Sequence, residues 1–435
     1  MPTVAPIDTR QAVDSYRRNR ARSEAIFDLI DPAAYYSRPI ALRNPIVFYE
    51  GHLPAFSVIA FLRRGLGLPP VDARLEALFE RGIDPETEAS AVPRSGASTV
   101  WPSRDEVRAF ARACDDAVVA AMSALPPGAA AREGLYTALE HEAMHQETLL
   151  YMWHRLPYDQ KRRGAVGDAR GACFGNCSPL ADIPASVRIP AGTATLGAKR
   201  ELVTFGWDNE FDAHDVDVEA FDLDVLPVTN KDFLEFVNAG GYRNRELWSG
   251  EGWEWIQTEA VAHPAFWMPA SRASHIAPRA SDTAWHWRGM FEPLALPLDW
   301  PVYVSHAEAS AYARWKGRRL MTEPEFHRAA EGATVGHADF AGFDPIPVGA
   351  YPPGAAGVYD LIGNGWEWTS TVFAPFEGFV PMASYPEYSA DFFDGRHYVM
   401  KGASPATAAE LVRPSFRNWF RSNYPYVYAK FRTAR

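Results

Sequence analysis

Cysteine is almost absent from this chain. Its 435 residues hold three, Cys114, Cys173 and Cys177. No disulfide framework is expected, and such scarcity fits a reducing cytoplasm. Cys173 and Cys177 are spaced like a metal or redox pair, but no second pair completes a zinc site. No apolar run approaches the roughly 20 residues of a membrane span. Residues 1–20 have no apolar core after their charges, so a secretory signal is not expected either. Positive charge is in deficit: 43 Lys and Arg against 54 Asp and Glu give a net −11. Neither nucleic acid nor an anionic membrane is therefore expected as a partner. Internal repeats and low-complexity segments are also missing.

What is present is ordinary globular composition, 47% hydrophobic and 22% charged, in a chain long enough for two or three domains. Two textures divide it. Residues 10–157 read as helices. Residues 18–30 are basic and amphipathic. Residues 103–125 open on Ser103-Arg104-Asp105-Glu106, a capping box, and continue with alanine-rich helix formers. Residues 129–156 form a further long helix, and together these suggest an up-down bundle over residues 1–158. Residues 159–187 are rich in Gly, Ala and Pro without apolar periodicity, as an interdomain linker would be. Residues 188–435 hold twelve of the fourteen tryptophans and many turn residues. Helical patterns there are short, at 230–238, 307–315 and 323–330. The expected fold class is α+β, a helical bundle followed by an irregular mixed domain.

The stretch His141-Glu142-Ala143-Met144-His145-Gln146-Glu147 carries the chemistry of the first half. Two histidines four apart on a helix share a face and can reach one metal ion. Read as H-E-x-x-H, the stretch is the zinc-peptidase signature, with Glu142 as general base. The Gly and His that one peptidase class needs at 148 and 151 are here Thr148 and Tyr151. The downstream helical glutamate of another class has no helix to sit on after residue 156. A bundle needs a third ligand from another helix, and His52 is the only histidine before residue 141. Three neutral imidazoles leave open coordination positions and suit iron, zinc, nickel or copper alike. Glu147 lies about 240° round the helix from His141, so it is structural rather than a ligand. His154 is expected at the surface or in the core.

Several strings in the second half resemble the formylglycine-generating-enzyme-like domain, a C-type-lectin-like fold. Ile189-Pro190-Ala191-Gly192 begins it, and Pro227-Val228-Thr229-Asn230 follows with Phe233 and Phe236. Pro301-Val302, Trp315 and Gly317 lead to Arg319-Leu320-Met321-Thr322-Glu323-Pro324-Glu325-Phe326. Gly363-Asn364-Gly365-Trp366-Glu367-Trp368-Thr369 completes the set. All three cysteines lie before residue 178, so the cysteine-dependent formylglycine reaction itself is not expected. The histidine helix resembles the metal helix of DinB-like domains. A DinB-like bundle followed by this lectin-like domain resembles the EgtB-type non-haem iron sulfoxide synthases over nearly the whole chain. The resemblance implies Fe(II) on His52, His141 and His145, with O2 as co-substrate. It also implies a new bond to carbon 2 of the imidazole of hercynine, which is trimethylhistidine.

Arg413-Pro414-Ser415-Phe416-Arg417-Asn418-Trp419 resembles the family's hercynine-binding segment. Trp419 then faces the trimethylammonium group, a cation–π contact of about 0.5–2 kcal/mol, and Asn418 bonds the carboxylate. Tyr385-Pro386-Glu387-Tyr388-Ser389, followed by Phe392-Phe393, resembles the family's tyrosine segment. It implies Tyr385 as the catalytic tyrosine, giving a proton or hydrogen atom during the oxidation, and Tyr388 as a lining residue. The mycobacterial-type synthases place an aspartate after this tryptophan and an arginine four residues later, to hold the amino-acid end of γ-glutamylcysteine. Here those positions are Phe420 and Tyr424. Burying a zwitterion against them without partners is costly, whereas an aromatic wall suits a sugar ring. Met144 also departs, where some relatives have glutamine. The chain thus resembles the selenoneine synthase (SenA) branch, whose donor is a selenosugar. A thiol-using synthase taking cysteine or γ-glutamylcysteine is the alternative, and Arg94 could serve either donor. A non-catalytic lectin-like binder is the alternative of another class. It would keep its ligand affinity without the three histidines.

Overall fold

The computed structural model describes residues 8–80, 100–126, 128–164, 183–270 and 284–435. Cys173, Cys177, Arg94 and most of the expected linker lie outside them. Cys114 is buried, and burial pushes its thiol pKa up. The chain divides into two compact units, Met1–Val166 with Pro381–Glu387, and Gly167–Val380 with Tyr388–Arg435.

The first unit is a bundle of α1 (Thr9–Phe27), α2 (Ile46–Ser57), α3 (Ala73–Phe79), α4 (Arg104–Ser123) and α5 (Ala129–Arg155). Helix α1 starts nine residues earlier than its basic stretch suggests, because the Asp8 carboxylate caps the N–H groups of Arg10 and Gln11. Ser103 caps α4 as expected, accepting from the Glu106 N–H. The second half of the expected box is not made: the Glu106 carboxylate bonds Arg74 of α3 instead. Helix α2 runs on as a π-helix over Val58–Gly65, past Pro54. A proline inside a helix removes one ladder bond, and a wider π turn accommodates such a break. Ile46–Gly65 is long and apolar enough to cross a membrane, but its most apolar stretch is 94% buried within the protein.

Two glycines set the crossing of α5 with this π segment. A Cβ on Gly134 would meet the Ala60 carbonyl oxygen at 2.5 Å, and one on Gly65 would meet the Ala130 oxygen at 3.2 Å. Gly134→Ala is expected to destabilise by about 1–3 kcal/mol through overpacking. Thermal unfolding reads this directly, and an unchanged midpoint would refute the close crossing.

The second unit is built from small sheets. One has the order β1 (Ser186–Ile189), β4 (Phe221–Asp224), β13 (Thr433–Ala434), β8 (Arg319–Leu320). Another has β11 (Asn418–Arg421), β10 (His397–Ala403), β9 (Gly365–Val372), β12 (Ala429–Lys430). Strand β2 (Gly192–Leu196) pairs with β3 (His214–Val218) in a two-stranded sheet, and β5 (Trp267–Pro269), β6 (Trp285–Arg288) and β7 (Pro293–Ala295) make a fourth. Short helices α6 (Asn230–Asn238), α7 (Gly250–Thr258), α8 (His306–Trp315) and α9 (Glu323–Ala329) fill between them. Thr229, Ser305 and Thr322 close full capping boxes on α6, α8 and α9. Gly363 has φ +107, and a Cβ there would meet the His337 backbone at 2.8 Å. The glycine at the head of Gly363-Asn364-Gly365 is therefore required by both conformation and space.

Candidate functional site

In the first unit, His52 of α2 meets His141 and His145 of α5, with one nitrogen from each ring within 4.8 Å of the others. His52 and His141 are buried, and His145 is partly exposed. His52 Nδ1 bonds the Phe79 carbonyl at 2.8 Å. That bond fixes the tautomer and leaves Nε2 with its lone pair for a metal. Gly51 next door is needed because the Phe79 ring would sit 2.4 Å from a Cβ there. The Nδ1 atoms of His141 and His145 are buried without a hydrogen-bond partner. Burial lowers the His52 pKa to about 4. Burial, then the neighbouring imidazoles, holds His141 well below the usual histidine range. Burial also lowers His145, helped by His52 and Arg43. All three rings are thus neutral at pH 7, and a metal ion need displace no protons. Orphaned nitrogens and a converging neutral donor set fit a divalent transition metal.

Glu142 does not face this cluster. Its carboxylate accepts from Arg20 at 2.9 Å and from Ser23 at 2.6 Å, both on α1. Arg20 also bonds Asp115, which takes the Tyr16 hydroxyl. A carboxylate held by Arg20 and Ser23 of α1 is not turned towards the three histidines, so the geometry does not support a peptidase. Gln146 bonds the Asn19 carbonyl and Ser23. Glu147 and His154 are buried, the latter fully.

Tyr385 belongs to the same unit, in the segment Pro381–Glu387. Its ring lies 4.9 Å from Phe56 and 6.0 Å from His141 between centroids. Phe56 stacks on His141 at 3.4 Å, and Phe48 stacks on His52 at 5.0 Å. The nitrogens of the histidine cluster are therefore walled by aromatic faces that pack on the imidazole planes.

In the second unit, Trp419 stacks flat on Phe373, 4.1 Å between centroids and 7° between planes. Tyr388 meets it edge-on at 5.1 Å and Phe392 at 5.7 Å. One indole face is thus taken by Phe373. Asn418 Oδ1 accepts the Trp419 N–H, which leaves its amide nitrogen to donate. Phe420 and Tyr424 stack on each other at 5.1 Å. Trp419 and Phe420 are successive residues of β11, so their side chains project to opposite faces of the strand. Arg94 lies outside the described residues.

The supports of this face were not anticipated from the sequence. Arg413 and Ser415 both bond Glu210. Lys401, whose pKa burial pulls down to about 8, donates to the carbonyls of Pro414 and Phe416. Arg417 grips Glu323 at 3.0 and 3.1 Å and lies over the Phe373 ring. Tyr388 stacks on Trp207 at 3.9 Å, while Ser389 is bonded by Asp208 and Asn209. Trp207-Asp208-Asn209-Glu210 therefore anchors both the tyrosine segment and the arginine segment. Clustered polar residues beside a tryptophan were the available signal.

Residues 15–154 match the model of the DinB superfamily, and residues 174–344 and 337–435 match that of the sulfatase-modifying factor enzyme 1-like domain. A hercynine oxygenase of Mycolicibacterium thermoresistibile is 32% identical, over 98% of this chain and 94% of its own. A hercynine oxygenase of Mycobacterium tuberculosis is 31% identical, over 94% of both chains. Ergothioneine biosynthesis protein 1 of Schizosaccharomyces pombe is 27% identical, over 92% of this chain and 53% of its own. Fold and sequence together define a two-domain protein, DinB-type in its first half and sulfatase-modifying-factor-type in its second. Within that class, the chain belongs to the hercynine oxygenase family.

Proposed function

We propose that this protein is an iron(II)- and O2-dependent enzyme that joins a chalcogen donor to carbon 2 of the hercynine imidazole, and that its donor is a selenosugar. The observation that carries the reaction is the neutral cluster His52, His141 and His145 with Tyr385 against it. Iron(II) on those imidazoles supplies the centre at which O2 is reduced. With a selenol or thiol donor, the balance is one donor X–H and one imidazole C–H consumed with O2. The products are one C–X bond, one oxygen on the chalcogen and one water, a four-electron oxidation. Trp419, through its open face, and Tyr388 take the trimethylammonium end of hercynine. The amide nitrogen of Asn418 donates to its carboxylate. Tyr385 supplies a proton or hydrogen atom during bond formation.

The selenosugar rests on Phe420 and Tyr424. They form a stacked pair where a zwitterionic donor would need an aspartate and an arginine. A flat aromatic wall suits the C–H face of a sugar.

An aerobic assay of iron(II)-loaded protein with hercynine tests the donor. Selenosugar, its thiosugar analogue, cysteine and γ-glutamylcysteine are offered in parallel, with products read by mass spectrometry. Product from the selenosugar alone is the expected result. Product from an amino-acid thiol returns the chain to ergothioneine-type chemistry and removes the donor role of Phe420 and Tyr424. Tyr385→Phe is expected to lower coupled product by about 10²–10⁴-fold, the usual worth of a positioned acid, with hercynine affinity unchanged. Equal loss of both would make Tyr385 a binding residue instead.

A further inference from the structure

Ser384, the residue before Tyr385, has every polar group engaged. Its N–H donates to Glu133 Oε1 at 2.8 Å. Its hydroxyl bonds Thr137 Oγ1 at 2.8 Å. Its carbonyl accepts from Arg64 Nη1 at 3.0 Å. Ser384 is buried, whereas Tyr385 is partly exposed. Arg64 also reaches Glu387 at 3.7 Å, so it holds the chain on both sides of the tyrosine. Residues 381–386 form no helix or strand.

The three partners are placed by the same elements that place the metal nitrogens. Glu133, Thr137, His141 and His145 recur every four residues along α5, a stripe that turns slowly around one side of the helix. Arg64 and Glu133 each adjoin one of the glycines, Gly65 and Gly134, at which the π segment and α5 cross. Metal ligands and tyrosine grip thus share one rigid frame. A tyrosine that must deliver a proton at a fixed place gains from such a frame, because small displacements of a reacting group reduce rate steeply.

We propose that Thr137, Glu133 and Arg64 are positioning residues that hold Tyr385 against the histidine cluster through Ser384. The proposal rests on the role given to Tyr385 above. Thr137→Val removes one hydroxyl at nearly constant shape, and Ser384→Ala removes its partner while keeping both backbone bonds. Two readouts are combined. Amide hydrogen exchange of residues 381–387 needs no turnover, and product formed per O2 consumed reports Tyr385 at work. Each variant is expected to speed exchange in that segment by about fivefold, the worth of one net hydrogen bond. Exchange along α5 and iron content should not change. Product per O2 should fall severalfold, and Thr137→Val should add nothing in a Tyr385→Phe background.

Unchanged exchange in both variants overturns the grip, whatever the activity. An undiminished loss in the Tyr385→Phe background, or loss of iron, shows a merely structural role and also overturns it. If Tyr385→Phe itself couples normally, the reading of Tyr385 fails, while faster exchange in Thr137→Val and Ser384→Ala would still show the grip.

Discussion

His141→Ala is expected to abolish iron binding and turnover while leaving the helical unit folded. Loss of an outer-shell partner alone costs metal sites about 10–100-fold, and loss of one of three ligands should cost more. The fold should survive because the histidine cluster is a burden on the apoprotein rather than a support. Two of its three imidazoles are buried, and the Nδ1 atoms of His141 and His145 have no hydrogen-bond partner. Metal analysis and thermal melts with and without iron(II) check this. The native protein should gain about 2.7 kcal/mol at a hundred times its dissociation constant, and the variant should gain none. A variant that still binds one iron and turns over would remove His141 from the ligand set. The pH dependence has a definite sign. His52 titrates near 4 in the folded chain and near 6.5 otherwise. Its neutral form is therefore free above pH 6.5, and apoprotein stability falls as pH drops from there towards 4.

Glu367→Gln is expected to be the most damaging change in the second unit. Glu367 accepts from Arg432 at 3.0 and 3.2 Å and lies 2.9 Å from Lys430, and all three side chains are fully buried. Burial alone would raise the Glu367 pKa, but the charges of Arg432 and Lys430 outweigh it and hold it below its ordinary 4.5. Removing the carboxylate leaves two buried cations, and breaking such a group costs about 3–5 kcal/mol. For a unit of this size that is roughly 10 °C in Tm. The carboxylate's contribution is present above pH 4.5 and is lost as pH falls through its lowered value. A melt within 2 °C of the native protein, about the effect of 1 kcal/mol at most, would show the cluster to be energetically neutral.

The convergence of the three histidines could be read in large part from the sequence, because helical spacing is local information. His141 and His145 announce their shared face by being four apart, and His52 follows because a bundle needs a ligand from elsewhere. The helix that carries His52 was harder to see. Gly51 and Pro54 look like breakers, yet burial against Phe79 and the π turn overrides their propensity. Pro381–Glu387 was illegible as part of the first unit, since its bonds to Glu133 and Thr137 span about 250 residues and leave no periodicity. Glu142 was misleading for the opposite reason: its motif is local, but its partner Arg20 is not. In the second unit, Arg413 and Arg417 sit inside a recognisable string. Only the fold reveals that they bond Glu210 and Glu323.

The alternation along β11 has an evolutionary consequence. Trp419 keeps company with Phe373, Phe392 and Tyr388, whereas Phe420 keeps company with Tyr424. Trp419 and Phe420 are neighbours in β11, yet their side chains project to opposite faces of it, so each can be varied against its own ring partners. With the roles proposed above, a donor can be exchanged through Phe420 and through Tyr424 just past the strand, while the side of β11 that carries Trp419 is left as it is.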